Sequence, residues 1–106
     1  MTPLKRGGDV ATLDELDGER VAVKGPLDFG SVGALLAGGT AAIAAGRATF
    51  IDLAGVTQSD SAGLALLLEW MSVARAAKRT LRFENVPQQL QQLARLSEVE
   101  ELLLSS

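Results

Sequence analysis

Two short runs that mix apolar and polar positions stand near the start of the chain, on either side of a turn signal. Val10 to Leu16 and Glu19 to Lys24 flank Asp17-Gly18, a dipeptide that tolerates the positive φ of a tight turn, so the pattern predicts an antiparallel hairpin. In the second run Val21 and Val23 alternate with Ala22 and Lys24, and Gly25-Pro26 is expected to end the strand because proline has no N–H for a ladder. Phe29, Val32, Leu35, Leu36 and Ile43 then make a weak helical stripe, which Gly38-Gly39 is expected to fray or break at a cost of about 1 kcal/mol per glycine. Gly46 is a natural stop for that helix.

The next run, ATFIDLAGVTQSDSAGLALLLEWMSVARAAK from Ala48 to Lys78, organises the rest. Phe50, Ile51 and Leu53 predict a short interior parallel strand closed by Ala54-Gly55, followed by a polar loop from Val56 to Ser59. Asp60 stands where an N-cap belongs, with Ser61 at the first helical position, since a carboxylate there accepts from the free N–H groups of the first turn. Two apolar sets follow: Leu64, Leu67, Leu68 and Met71 on one face, and Leu66, Trp70, Val73 and Ala77 on another. With Ala74 they cover roughly 220° of the helix, whereas one sheet face needs a stripe only a little over about 100° wide. Neighbouring helices or a partner protein must cover the surplus.

Thr80 to Asn85 sets Leu81 and Phe83 against Arg82 and Glu84, the pattern of a strand with one solvated face. Pro87 opens a helix whose stripe is Leu90, Leu93 and Ala94, with Gln88, Gln89, Gln91 and Gln92 toward solvent. Ser97 and Glu100 fit a capping box for a short last helix over Glu98 to Leu104, and the run from Leu102 to Leu104 is either a packed terminus or a docking patch. Met1 to Gly8 has no periodicity and reads as a flexible lead-in, which leaves 9–106 as one domain. Strands alternating with helices after a hairpin predict an α/β fold: a mixed sheet of about four strands with the helices layered on one face.

Composition removes whole classes of chemistry. The 106 residues contain neither Cys nor His, so zinc, thiolate and imidazole chemistry are not open to this chain alone. The net charge of -3 argues against a surface that tracks nucleic-acid phosphates. No apolar run approaches the roughly 20 residues of a membrane span, so a cytoplasmic protein is expected, reaching a membrane only through a partner. Nothing calls for a cofactor or a metal.

The run IDLAGVTQSDSAGLALLLEW resembles the signature of STAS domains. In the anti-sigma-factor antagonists of that family, an Asp-Ser-(Ser/Thr)-Gly motif at this junction carries the serine phosphorylated by a partner kinase; the resemblance makes Ser61 the corresponding residue. GPLD, ending at Asp28, resembles the Gly-x-Leu-Asp turn of the same family, whose acidic residue lies on the side of the acceptor loop; Asp28 or Ser31 is equally readable as an N-cap. The wording DSAGLALLLEW is closest to the small STAS subunit of Mla-type phospholipid ABC transporters.

That resemblance implies a non-enzymatic subunit that binds the transporter ATPase, and through it the permease. The implied contact surface is Thr57, Gln58, Ser59, Asp60, Ser61 and Ala62, with Asp28 beside them and Leu66 and Trp70 on the following helix. A weak homodimer through the same helix stays open. The alternative is an anti-sigma-factor antagonist switched by phosphorylation of Ser61, which would add about 1.5 to 2 negative charges at a helix N-terminus. Ala62 departs from the second hydroxyl often found in antagonists. Two features argue against a hydrolase: Ser59 stands where a nucleophile elbow needs its first glycine, and no histidine can serve as base.

Overall fold

The computed structural model describes residues 10–105, so the Met1 to Gly8 lead-in lies outside the described residues, as do both end residues of the 9–106 domain. Four strands and four helices run in the order β1 (Thr12–Leu16), β2 (Arg20–Leu27), α1 (Val32–Ala44), β3 (Phe50–Ser59), α2 (Ser61–Ala76), β4 (Arg82–Glu84), α3 (Gln88–Leu96) and α4 (Glu100–Ser105). The sheet order is β1-β2-β3-β4. β1 and β2 are antiparallel through the predicted hairpin, with Leu16 opposite Arg20, while β2–β3 and β3–β4 are parallel. Gly18 and Glu19 both take positive φ in the turn.

One sheet face is dry and the other wet. Val21, Val23, Ile51 and Leu53 join Leu35, Ile43, Leu67, Trp70, Leu90 and Leu103 from all four helices in a single core. On the opposite face Arg20 lies over the Phe50 ring at 4.9 Å and forms a two-point ion pair with Glu84 at 3.0 and 2.9 Å. Asp52, on the same side, accepts from the Asn85 side chain and from Ala54 N–H, each at 2.9 Å. Those two bonds, the Asn85 amide first, hold its carboxyl below the ordinary 3.8.

Both central strands outrun the sequence reading. β2 continues through Gly25-Pro26 to Leu27, and β3 continues through Ala54-Gly55 and the expected loop to Ser59. Pro26 is tolerated because β1 has already ended, its Thr12 facing Lys24, so no strand on that side asks for the missing N–H. Gly55 is a packing residue rather than a stop: a Cβ there would stand 2.6 Å from Cγ of Lys24. Two register shifts, one between Ala22 and Lys24 and one between Gly25 and Pro26, fit the longer β3 to the shorter β2.

α1 is continuous across Gly38-Gly39, against the expected break. The reason lies on α2. A Cβ on Gly39 would fall 2.3 Å from Cε2 and Cζ2 of Trp70, so the absent side chain is the seat of the indole, whose Nε1–H donates to the Leu36 carbonyl at 3.4 Å. Gly46 does end α1: its N–H bonds the Ile43 carbonyl and that of Arg47 the Ala42 carbonyl, a Schellman stop. The same pair of bonds ends α2 at Lys78 and α3 at Glu98, both at positive φ.

The capping box at Ser97 does not form. Ser97 is instead the C-cap of α3, its N–H bonding Leu93, and Glu100 turns to Arg95 at 3.0 Å. At the end of the chain Leu103 is buried while Leu102 is exposed.

Candidate functional site

Asp60 caps α2 as its position predicts. Its Oδ1 accepts from Ala62 N–H at 2.8 Å and Gly63 N–H at 3.3 Å, while its own N–H reaches back to the Leu27 carbonyl at 3.1 Å. The start of α2 is thus bolted to the end of β2. Gly63 completes the joint, since a Cβ there would meet that same carbonyl oxygen at 2.8 Å. Ser61, one residue past the cap, is exposed.

The loop after β2 is equally fixed, though not by helix capping. Ser31 occupies the N-cap position without a side-chain capping bond; its hydroxyl donates to the Pro26 carbonyl at 2.7 Å and accepts from Asp28 N–H at 3.0 Å. Asp28 is half-buried and accepts from Gly30 N–H at 2.9 Å. Both side chains therefore serve the turn. What the turn presents outward is Phe29, 80% exposed.

The residues named from sequence separate into two groups. Thr57, Gln58 and Ser61 are exposed beside half-buried Asp28 and Asp60, at the end of β3 rather than on a loop. Ser59 is buried, its N–H bonded to Oε1 of Gln89 at 2.9 Å, so Gln89 is tied to the sheet end. Trp70 at 0% and Leu66 at 4% exposure belong to the core, which corrects their placement on an open contact surface. α1 absorbs most of the surplus apolar arc of α2, with Gly39 receiving the indole.

The remainder of that arc lines a groove. Between α1 and α2 lies an open hollow of about 430 Å³ walled by Phe29, Val32, Leu36, Ala62, Leu66 and Glu69, so Leu66 and Ala62 contribute only its floor. Sequence reasoning missed the α1 wall because it read Phe29 and Leu36 only as members of a weak helical stripe. The available signal was that Val32 to Ala44 contains no charged residue. Among the described residues no group of metal-ligating side chains comes together, and no helix is long and apolar enough to cross a membrane. The arrangement is suited to contact: a fixed polar junction bearing an exposed hydroxyl, next to an apolar groove.

Residues 11–105 match the family model described as Mlab, STAS domain. No curated protein matches the chain. Among solved structures, the fold is similar to the anti-sigma factor antagonist SpoIIAA in its unphosphorylated form, with a TM-score of 0.68 at 22% identity over 90% of this chain and 86% of that one. The phosphorylated form of SpoIIAA, a Bacillus cell fate determinant, gives 0.66 at 22% identity over 90% and 89%. A segment of Mglu gives 0.60 at 25% identity, over 84% of this chain and 23% of that one. Sheet order, capped junction and family match agree, and the chain belongs to the MlaB-type STAS domain family.

Proposed function

We propose that this chain is a non-enzymatic subunit that binds, and regulates or stabilises, the ATPase of an Mla-type phospholipid-trafficking ABC transporter. It would sit at the cytoplasmic face of the inner membrane through that partner. The observation that carries the reading is the match to the MlaB-type family across residues 11–105. The site supports it in kind: the junction that presents Ser61 is fixed by the Asp60 cap of α2, as suits a docking surface, and an apolar groove adjoins it.

A second reading is a phosphorylation switch of the antagonist type, favoured by the exposure of Ser61 immediately after its cap. A phosphate there would meet the carboxylates of Asp60 and of any acidic partner surface, and repulsion would release the complex.

Affinity purification of a tagged copy from its native host in mild detergent separates the two. Recovery of an ABC-type ATPase with a permease supports the first. Recovery of a serine kinase, with bait heavier by one phosphate, supports the second and overturns the first. Ser61→Glu leaves the helix intact, because an acid is favourable in a first turn; it should weaken ATPase binding by about tenfold or more. Unchanged affinity would remove Ser61 from the contact surface.

A further inference from the structure

α1 is apolar all round, and a helix of that kind is ordinarily covered on every side. Here Leu35, Gly39, Ala42 and Ile43 are buried, while Gly33, Leu36, Ala37 and Ala41 are exposed. The hollow beside Phe29 continues into a second of about 530 Å³ that reaches Thr40, Ala41 and Val73; the two share Gly33, Leu36 and Glu69 and form one trough. Its α1 wall, from Gly33 to Ala41, is about 12 Å long at 1.5 Å per residue, a little over two helical turns. Its α2 wall is Ala65, Glu69 and Val73, at four-residue spacing, above the buried Ala62 and Leu66. Small residues on both walls allow a third helix to approach to the 8–10 Å typical of packed helices.

Glu69 is the one charged side chain in the trough's lining, it is exposed, and no cation pairs with it among the described residues. We propose that the trough seats an amphipathic helix of a partner protein, two to three turns long, with apolar residues at helical spacing and one Lys or Arg opposite Glu69. This rests on the reading of the chain as a binding subunit and adds the chemistry of what it binds. A second copy does not fit: in a two-fold pairing the same patch meets itself, so each trough would bring another Glu69 and no cation. An anionic membrane surface would likewise face Glu69 with charge of the same sign.

The test places photoreactive p-benzoylphenylalanine at Leu36 in the full chain, cross-links in the native host and maps the adduct by mass spectrometry. Ala37 is the second probe position should the first variant melt early, and Leu96, 83% exposed on α3, is the control. The expected adduct is a helix-forming segment of another protein with a Lys or Arg within one turn of the linked residue. Glu69→Lys should lower its yield by about tenfold or more, and converting that partner cation to Glu should restore it. An adduct made only of this chain's own peptides, a lipid adduct, no adduct from either probe, a partner segment without a cation, or a yield indifferent to Glu69→Lys would each overturn the inference. If the mapped helix belongs to a protein other than a transporter ATPase, the trough stands and the transporter reading falls. If the ATPase co-purifies but links only from a probe at Gln58, the transporter reading stands and the trough falls.

Discussion

Gly38 and Gly39 are neighbours in α1, yet the same substitution should move stability in opposite directions. Ala at 39 would put its Cβ 2.3 Å from two ring carbons of Trp70 and 2.5 Å from Nε1, where carbon atoms prefer about 3.5 to 4.0 Å. Relief requires α1 to shift by more than about 1 Å or the indole to rotate, and Trp70 is fully buried. Overpacking of this sort costs about 1–3 kcal/mol, and a contact this short belongs at or above the upper end. The gain in helix propensity returns about 1 kcal/mol, so Gly39→Ala should lose about 2 kcal/mol, a fall in Tm of roughly 8–16 °C. Gly38 has nothing within 4 Å of an added Cβ, so Gly38→Ala keeps the propensity gain and should raise Tm by roughly 4–8 °C. Thermal unfolding followed by far-UV circular dichroism reads both. In a Trp70→Phe background the penalty at 39 should shrink, with a coupling of about 1 kcal/mol or more. If Gly39→Ala proved as stable as the parent, the packing account of the glycine would be wrong.

Three further outcomes are expected. Asp60→Ala should destabilise by about 1 kcal/mol through loss of the α2 cap, with Asp60→Asn retaining most of it, as read from urea midpoints. Lys78→Gly and Glu98→Gly, each at the positive-φ residue of a Schellman stop, should each stabilise by about 1 kcal/mol, as read from urea midpoints; a loss in either would show that the side chain outweighs the backbone strain. The folded-state pKa of Asp52 is lowered, so its contribution is complete above the unfolded value of 3.8 and is lost as pH falls through the lower folded value. Asp52→Asn should therefore cost stability near neutrality and converge with the parent as the pH falls through the lowered folded-state value, and a gap that stays constant on acidification would refute this.

Features governed by residues close in sequence were legible. The Asp17-Gly18 turn, the Asp60 cap and the stop at Gly46 each depend on a few consecutive residues, and each forms as read. What escaped depends on partners far along the chain. Gly39 reads as a helix breaker until Trp70, on another helix, is known to fill the space. Pro26 and Gly55 read as strand ends because the rule is local, whereas their tolerance comes from where β1 stops and from the side chain of Lys24. The register shifts in β2–β3 hid the second half of β3 by breaking its alternation. At Ser97 two local rules competed, and the helix-ending geometry of α3 prevailed over the capping box. The groove could not be read from either helix alone, because it exists only where α1 and α2 leave space between them.

The parallel pairings also set the order in which the chain can assemble. Arg20 faces Phe50 and Ile51 faces Phe83, so each parallel contact must close a loop of about thirty residues before any ladder bond rewards it. Only the β1–β2 hairpin is local. The Trp70 indole in the gap at Gly39 links the two helices that span those loops, and closing one therefore helps to hold the other. Refolding should accordingly be slower than the helical content alone would suggest, with the hairpin formed early and the two crossovers consolidating together.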